Sequence, residues 1–251
     1  MESTKDLRLA VLFDADNISY SNLKGMMKEI AKYGIPTFKR IYGDWTKPNL
    51  TGWKNVLLEN AISPVQQYSY TTGKNSSDSA LIIDAMDILY TGRVDGFCIV
   101  SSDSDFTRLA IRLREAGMKV FGMGEKKTPS PFITSCDKFI YIEILERETE
   151  RSSTKKSTSK INPAKENRSV SIVDDDLISL ITESINDIAD EDEWIPLASL
   201  GQFILKKKTD FDPRNYGYKK LLDLLKSTNK FAIDARPSGK NNVSHFFIKA
   251  K

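Results

Sequence analysis

Residues 9–17 read LAVLFDADN, a short apolar run that ends in two acids and an asparagine. Such a run predicts a buried strand whose carboxyl end lies beside Asp14. Five further runs of this kind occur within the first 145 residues. The six predicted strands are residues 9–13, 37–42, 65–70, 97–100, 119–123 and 139–142.

Stretches with helical apolar spacing separate these strands. The predicted helices are residues 23–32, 53–61, 79–90 and 106–116, and Gly117 ends the last of them. Strands that alternate with helices predict an α/β fold in which helices cover both faces of a mostly parallel sheet. We therefore expect a three-layer α/β/α sandwich.

The composition excludes several classes of protein. Hydrophobic residues make up 40% of the 251 residues and charged residues 28%, which excludes general disorder, a collagen-like chain and burial in a membrane. Two cysteines and one histidine exclude a zinc finger and a catalytic centre built on histidine. Residues 1–8, MESTKDLR, do not resemble a secretion signal, so we expect a cytoplasmic protein without a membrane partner.

Charge is distributed unevenly along the chain. Residues 151–169 carry six Lys and Arg against one acid and have no aromatic side chain, which predicts a flexible basic linker. Residues 194–251 carry twelve bases and four acids, so one face there is expected to be positive. The predicted organisation is a first domain at 1–147, a linker at 148–172 and a second domain at 173–251.

Acidic side chains follow two of the predicted strands. Asp14, Asp16 and Asn17 follow the first strand, and Asp103 and Asp105 follow the fourth in FCIVSSDSDF. Ligands of open parallel sheets bind at the carboxyl ends of the strands. If the first and fourth strands are neighbours, these acids converge with Asp78, which lies near the start of the third predicted helix. Oxygen ligands without His or Cys favour Mg²⁺ or Mn²⁺.

Helix capping is the alternative interpretation of each acid taken alone. Asp103 or Asp105 can cap the helix that follows, and Asp16 or Asn17 can cap the helix after Ser19. Capping needs one oxygen per helix, whereas both loops supply a pair of acids. Asp84, further along the third helix, is predicted to be an exposed or ion-paired residue.

The segment GDWTKPNLTGW, residues 43–53, combines aromatic side chains with a base. Trp45 and Lys47 are candidates for stacking on bases and for holding a nucleic-acid backbone. Trp53 is predicted to be the first core residue of the second helix.

The motifs FDADN, KNSSD and SSDSDF together resemble those of the NYN domain in its LabA-like group, which is related to PIN-type ribonucleases. The resemblance covers about residues 7–145. It implies a PIN-like fold and metal-dependent cleavage of RNA, with Asp14, Asp78 and Asp103 as ligands of Mg²⁺ or Mn²⁺. Asp105 and Asn17 would complete the catalytic set. Lys74 would contact a substrate phosphate or orient a carboxylate, the alternative being an exposed loop lysine.

The C-terminal part predicts helices at residues 194–205 and 216–225, after an acidic helix that begins at Val173, and strands at 230–233 and 244–248. This order is typical of a winged-helix-like domain. The segments WIPLASLGQFI, FDPRNYGYKKLLDLL and KFAID resemble the OST-HTH/LOTUS domain over about residues 173–249. That resemblance implies binding of RNA or of a partner protein. It makes Arg214, Lys219 and Lys220 candidate phosphate contacts, unless they form a solvated basic face.

Three functional hypotheses follow from the sequence. The preferred one is a Mg²⁺- or Mn²⁺-dependent ribonuclease whose C-terminal domain selects or tethers RNA. The second is a non-catalytic RNA-binding regulator or adaptor. The third is a haloacid-dehalogenase-like phosphatase, because Asp14 and Asp16 have the spacing of its nucleophile and acid; Asn17 and Ile18 depart from that motif. The oligomeric state is left open.

Overall fold

The computed structural model describes residues 6–68, 76–147, 173–189, 193–237 and 244–251. The chain divides into two compact units, residues 1–159 and 160–251. The division falls inside the segment 148–172, which lies outside the described residues. The predicted bounds of the domains and the linker therefore stay a prediction.

A six-stranded sheet forms the centre of the first unit, and all five of its strand pairs are parallel. Its order is β3-β2-β1-β4-β5-β6, so β1 lies between β2 and β4 and the strand order changes direction there. The strands are β1 (Arg8–Asp14), β2 (Ile35–Gly43), β3 (Ser63–Gln66), β4 (Gly96–Val100), β5 (Lys119–Gly124) and β6 (Lys138–Tyr141).

Helices cover both faces of this sheet. The helices are α1 (Leu23–Ile30), α2 (Trp53–Glu59), α3 (Ser76–Tyr90), α4 (Thr107–Glu115) and α5 (Ser130–Ser135). Successive strand side chains point to opposite faces, so Val11 packs with α1 and α2 while Leu12 packs with α3, α4 and α5. The predicted three-layer α/β/α sandwich is confirmed, and its fold is PIN-like.

Several element boundaries differ from the predicted ones. Strand β3 ends at Gln66 rather than reaching residue 70, and residues 69 and 70 lie outside the described residues. The helix predicted from residue 106 begins as a 3₁₀ turn at Ser104–Phe106, which Asp103 caps. Helix α5 was not predicted, because it has only six residues, with Pro129 before it and Pro131 in its first turn, and carries little helical periodicity.

The second unit has its own core of apolar side chains. It contains α6 (Asp175–Ile188), β7 (Ile195–Pro196), α7 (Leu197–Lys207), a 3₁₀ turn (Pro213–Tyr216), α8 (Leu221–Thr228), β8 (Phe231–Pro237) and β9 (Ser244–Ala250). The three strands pair antiparallel in the order β7-β9-β8. The helix predicted from residue 216 starts only at Leu221, because Gly217 is left-handed with φ of 86° and ends the 3₁₀ turn.

Candidate metal centre

The carboxyl ends of β1 and β4 meet at one edge of the sheet, since Phe13 pairs with Val100. Asp14 follows Phe13 and is only 1% exposed. Its carboxylate accepts a hydrogen bond from the Ser101 hydroxyl and another from the Asn17 side-chain amide, both at 2.7 Å. The three side chains therefore form one hydrogen-bonded group at this edge, in which Asp14 and Ser101 are buried and Asn17 is half-buried.

The loop after β4 brings two more acids to the same place. The Asp103 carboxylate accepts from the Asp105 backbone N–H at 2.9 Å and caps the 3₁₀ turn. The Asp103 backbone N–H in turn donates to the Ser101 hydroxyl at 3.0 Å. Capping and site formation are thus compatible, because one carboxylate oxygen caps the turn while the other remains for a ligand.

Helix α3 supplies the third component. Asp78 lies in its first turn, is 6% exposed, and belongs to the helix that packs against β1 and β2. One carboxylate oxygen each from Asp78, Asp103 and Asp105 lies within 4.8 Å of the other two. The predicted convergence of acids is therefore present, with Asp105 in the group of three. Asp14 as a direct ligand remains a prediction.

Electrostatics in this group oppose ionisation. Burial, together with the charges of the nearby Asp14, Asp103, Asp105 and Asp16, raises the pKa of Asp78 to about 7. Burial also raises the pKa of Asp14, although the hydrogen bonds from Ser101 and Asn17 lower it in part. Carboxylates this close need a cation to stay ionised together.

The ligand chemistry of the cluster Asp78, Asp103 and Asp105 suits a divalent metal ion. All donors in the cluster are carboxylate oxygens, the ligand type of Mg²⁺ and Mn²⁺, and Asp105 is exposed so that solvent reaches the cluster. The one histidine of the chain, His245, belongs to the second unit. The donor set therefore gives no preference for zinc.

A lysine borders the acidic edge. The Lys47 ammonium lies 3.6 Å from Asp16, whose other carboxylate oxygen accepts from the Ser77 hydroxyl at 2.9 Å. Ser77 precedes Asp78, so Asp16 connects the loop after β1 to the start of α3. Trp53 is buried as predicted, and the Trp45 indole N–H donates to the Val65 carbonyl, which fixes that ring against β3.

Helix α3 is held on the sheet by an ionic contact of Asp84 whose partners the sequence alone does not reveal. Asp84 accepts hydrogen bonds from the Arg40 guanidinium and from the Tyr42 hydroxyl, both on β2. Burial raises the pKa of Tyr42, which keeps its hydroxyl protonated as a donor. The expected ion pair of Asp84 is therefore present, and it fixes the helix that carries Asp78.

The basic candidates differ in their surroundings. Lys74 lies outside the described residues. The Arg214 side chain is 13% exposed and donates to both carboxylate oxygens of Asp212, the shortest contact being 2.7 Å. Lys219 and Lys220 are exposed. The two lysines are thus available to a phosphate, whereas the Arg214 guanidinium is already engaged.

A parallel α/β sandwich with acids gathered where the strand order reverses defines a domain of the PIN-like class. The chain belongs to the NYN domain family, whose model matches residues 8–143. The model of the OST-HTH/LOTUS domain matches residues 168–243, so the two domains follow one another as the sequence motifs predict. No curated protein matches the chain.

Two solved structures are similar to parts of the chain. A crystal structure of a protein of unknown function from Vibrio parahaemolyticus is 21% identical, with a TM-score of 0.47; the match covers 57% of this chain and 96% of that one. A solution structure of an uncharacterized protein from Nitrosomonas europaea is 28% identical, with a TM-score of 0.30; it covers 38% of this chain and 90% of that one. Within the described residues, no helix has the length and apolar character needed to span a membrane.

Proposed function

We propose that the protein is a metal-dependent ribonuclease, in which the NYN domain cleaves RNA phosphodiester bonds and the OST-HTH/LOTUS domain binds RNA. The observation that carries this proposal is the cluster of Asp78, Asp103 and Asp105 at the carboxyl edge of the sheet. It lies beside the buried Asp14, whose carboxylate Asn17 and Ser101 hold in place. We propose endonucleolytic cleavage with Mg²⁺ or Mn²⁺ in a cytoplasmic protein.

Asp78, Asp103 and Asp105 would hold the metal ion, with Asp14 next to them. When bound, such an ion supplies positive charge that activates water and stabilises the negative charge developing on a phosphate. The protein's own contribution is to fix the carboxylates: Ser101 orients Asp14, and the 3₁₀ turn orients Asp103. No covalent nucleophile is needed.

Lys47 is placed to approach a substrate phosphate. Its ammonium is only loosely paired with Asp16 at 3.6 Å, and its side chain is 42% exposed. A phosphate that enters the acidic edge can therefore take this lysine without loss of a buried ion pair. We also propose that Lys219 and Lys220 contact RNA phosphates from the second domain, with Lys74, four residues before Asp78 in the sequence, as a further candidate.

Activity assays distinguish two alternative functions from the proposed ribonuclease. A non-catalytic RNA-binding regulator, or an adaptor that also binds a protein, would bind RNA without cleaving it. A haloacid-dehalogenase-like phosphatase would need Asp14 as an accessible nucleophile, yet this carboxylate is buried and hydrogen-bonded to Ser101 and Asn17. Hydrolysis of a small phosphate monoester would support that third hypothesis.

The test is to incubate the purified protein with labelled RNA and labelled DNA, with Mn²⁺, with Mg²⁺ and with a chelator. Cleavage of RNA that stops in the chelator is expected. Asp103→Asn and Asp14→Asn should abolish it while leaving the fold intact, because each removes a charge from a self-repelling cluster. Asp16→Asn should be milder. Asp87→Asn, an exposed residue on α3, is the matched control. Full activity in both cluster variants would contradict the proposal.

A further inference from the structure

The outer face of the three-stranded sheet carries a stacked group of side chains that the fold does not need for its core. Ile195, Ile233 and Ile248 pair across the strands and pack into the core of the second unit. Side chains alternate along a strand, so their neighbours face the opposite way. Phe247, which lies opposite Pro196 and Asp234, is therefore on the outer face.

Arg236 lies across two aromatic rings on this outer face. Its guanidinium carbon is 4.2 Å from the ring centroid of Phe247 and 5.9 Å from that of Trp194. The guanidinium Nε donates to the Asp234 carboxylate at 2.8 Å. The Arg236 side chain is nevertheless 49% exposed. Its planar group is thus fixed by three neighbours while much of its surface remains open to solvent.

A planar cation held on aromatic rings is suited to a planar ligand. Unpaired nucleobases stack on guanidinium planes and on aromatic side chains, whereas bases inside a duplex present only their edges. Arginine stacked on a ring loses less side-chain freedom on binding than a free arginine does. Geometry alone therefore favours a single-stranded nucleic acid over a duplex.

Charge favours the same partner. Residues 194–251 carry twelve bases against four acids, so this part of the chain attracts a polyanion. On the face itself, Asp234 is paired with Arg236, and Glu193 is paired with Lys249. The charge of each of these two acids is thus balanced, which reduces its repulsion of a phosphate backbone. The basic residues of this part of the chain can attract the phosphates of an RNA strand, while one of its bases stacks at Arg236.

We infer that the outer sheet face formed by Trp194, Arg236 and Phe247 is the site where the second domain stacks an unpaired base of single-stranded RNA. This inference rests on the proposed RNA binding of that domain and adds where, and in which form, the RNA is recognised. The exposed Lys219 and Lys220 would contribute phosphate contacts, which carry no preference for unpaired bases.

The experiment measures binding of the full-length protein to fluorescein-labelled oligoadenylate and to an RNA duplex, in a chelator that stops cleavage. Arg236→Lys keeps the charge and removes the planar group. It should weaken binding of the single strand by about fivefold or more, since stacking of one base is worth about 1–3 kcal/mol, and leave the salt dependence unchanged. Arg112→Lys, at an exposed arginine of the first unit, is the matched control and should bind like the unmodified protein.

Trp194 provides an independent readout. Single-stranded RNA should quench tryptophan emission in the unmodified protein and much less in Trp194→Phe, while the duplex should quench little in either. Unchanged affinity of Arg236→Lys together with unchanged Trp194 emission would overturn the inference and assign the face to a protein partner. If the unmodified protein binds neither RNA in the chelator, the RNA-binding part of the proposed function fails as well, and the cleavage assay shows whether the NYN domain acts without it.

Discussion

Ser101 donates its hydroxyl to the buried carboxylate of Asp14 at 2.7 Å, although 87 residues separate the two in sequence. The same hydroxyl accepts the backbone N–H of Asp103 at 3.0 Å. One fully buried side chain thus connects the acid that ends β1 with the acids that follow β4. Ser101 therefore helps to position the acids at the carboxyl edge of the sheet, because it orients the Asp14 carboxylate and holds the backbone of Asp103.

Ser101→Ala should lower stability by about 1–3 kcal/mol, because it removes one of the hydrogen bonds to the buried Asp14 carboxylate and leaves the Asp103 N–H without its Ser101 acceptor. It should also weaken Mn²⁺ binding, since Asp14 and Asp103 lose their common support. Thermal unfolding and Mn²⁺ titration measure the two effects. Ser102→Ala is the control, because the Ser102 hydroxyl accepts from the Glu125 backbone and not from the acidic cluster. Equal Mn²⁺ affinity in the two variants would contradict the role given to Ser101.

Asp78→Asn should change how stability depends on pH. The pKa of Asp78 is raised to about 7 by burial and nearby acids, against about 4 in an unfolded chain. The stabilising contribution of the protonated group is complete below about pH 4 and is lost as pH rises through 7, with a slope of at most about 1.4 kcal/mol per pH unit. The asparagine does not titrate, so its stability curve should be flatter over this range.

Urea unfolding measures the stability of the Asp78→Asn variant and of the unmodified protein in the presence of a chelator, at a series of pH values from about pH 4 to pH 8. The variant should gain stability relative to the unmodified protein as pH rises. Parallel curves would show that Asp78 ionises without cost in the folded state.

Asp84→Asn should weaken metal binding although Asp84 is not part of the cluster. The variant removes the anionic partner of the half-buried Arg40 and the fully buried Tyr42. It should lower the free energy of unfolding by about 1–3 kcal/mol. Helix α3 carries Asp78 six residues earlier, so a loosened helix misplaces that ligand. Asp87→Asn, on the same helix and exposed, should leave both stability and Mn²⁺ affinity unchanged. Loss of stability without loss of affinity would confine Asp84 to a structural role.

Deletion of residues 148–251 should separate cleavage from binding. Residues 1–147 carry 19 bases and 18 acids, so the first domain alone, with a charge close to zero, cannot supply a steep dependence of RNA affinity on salt. The fragment should fold, because the sheet is complete at Tyr141, and should cut RNA with little selectivity at high substrate. Circular dichroism and RNA binding across a salt series measure this. Equal binding by fragment and full chain at every salt concentration would assign the second domain to a protein partner.

Much of the first domain could be predicted from local sequence. Apolar runs such as residues 9–13 and 97–100 become central strands because they are buried on both faces, and the acids after them mark the strand ends. The parallel arrangement follows from the alternation of strands with helices. Short elements were not predicted, because β7 has two residues and α5 has six, too few to show the apolar periodicity of a strand or a helix.

The sequence by itself determined which acids are present and that they follow strands; only the tertiary structure decided which of them meet. Asp103 and Asp105 lie with Asp78 because β4 pairs with β1 and α3 packs over both β1 and β2. No local pattern indicates that Ser101 supports Asp14 or that Arg40 and Tyr42 hold Asp84, since these contacts join segments that only the order of the strands brings together. The pairing of Arg214 with Asp212, by contrast, is local to one 3₁₀ turn, but charge counting along the chain does not reveal it.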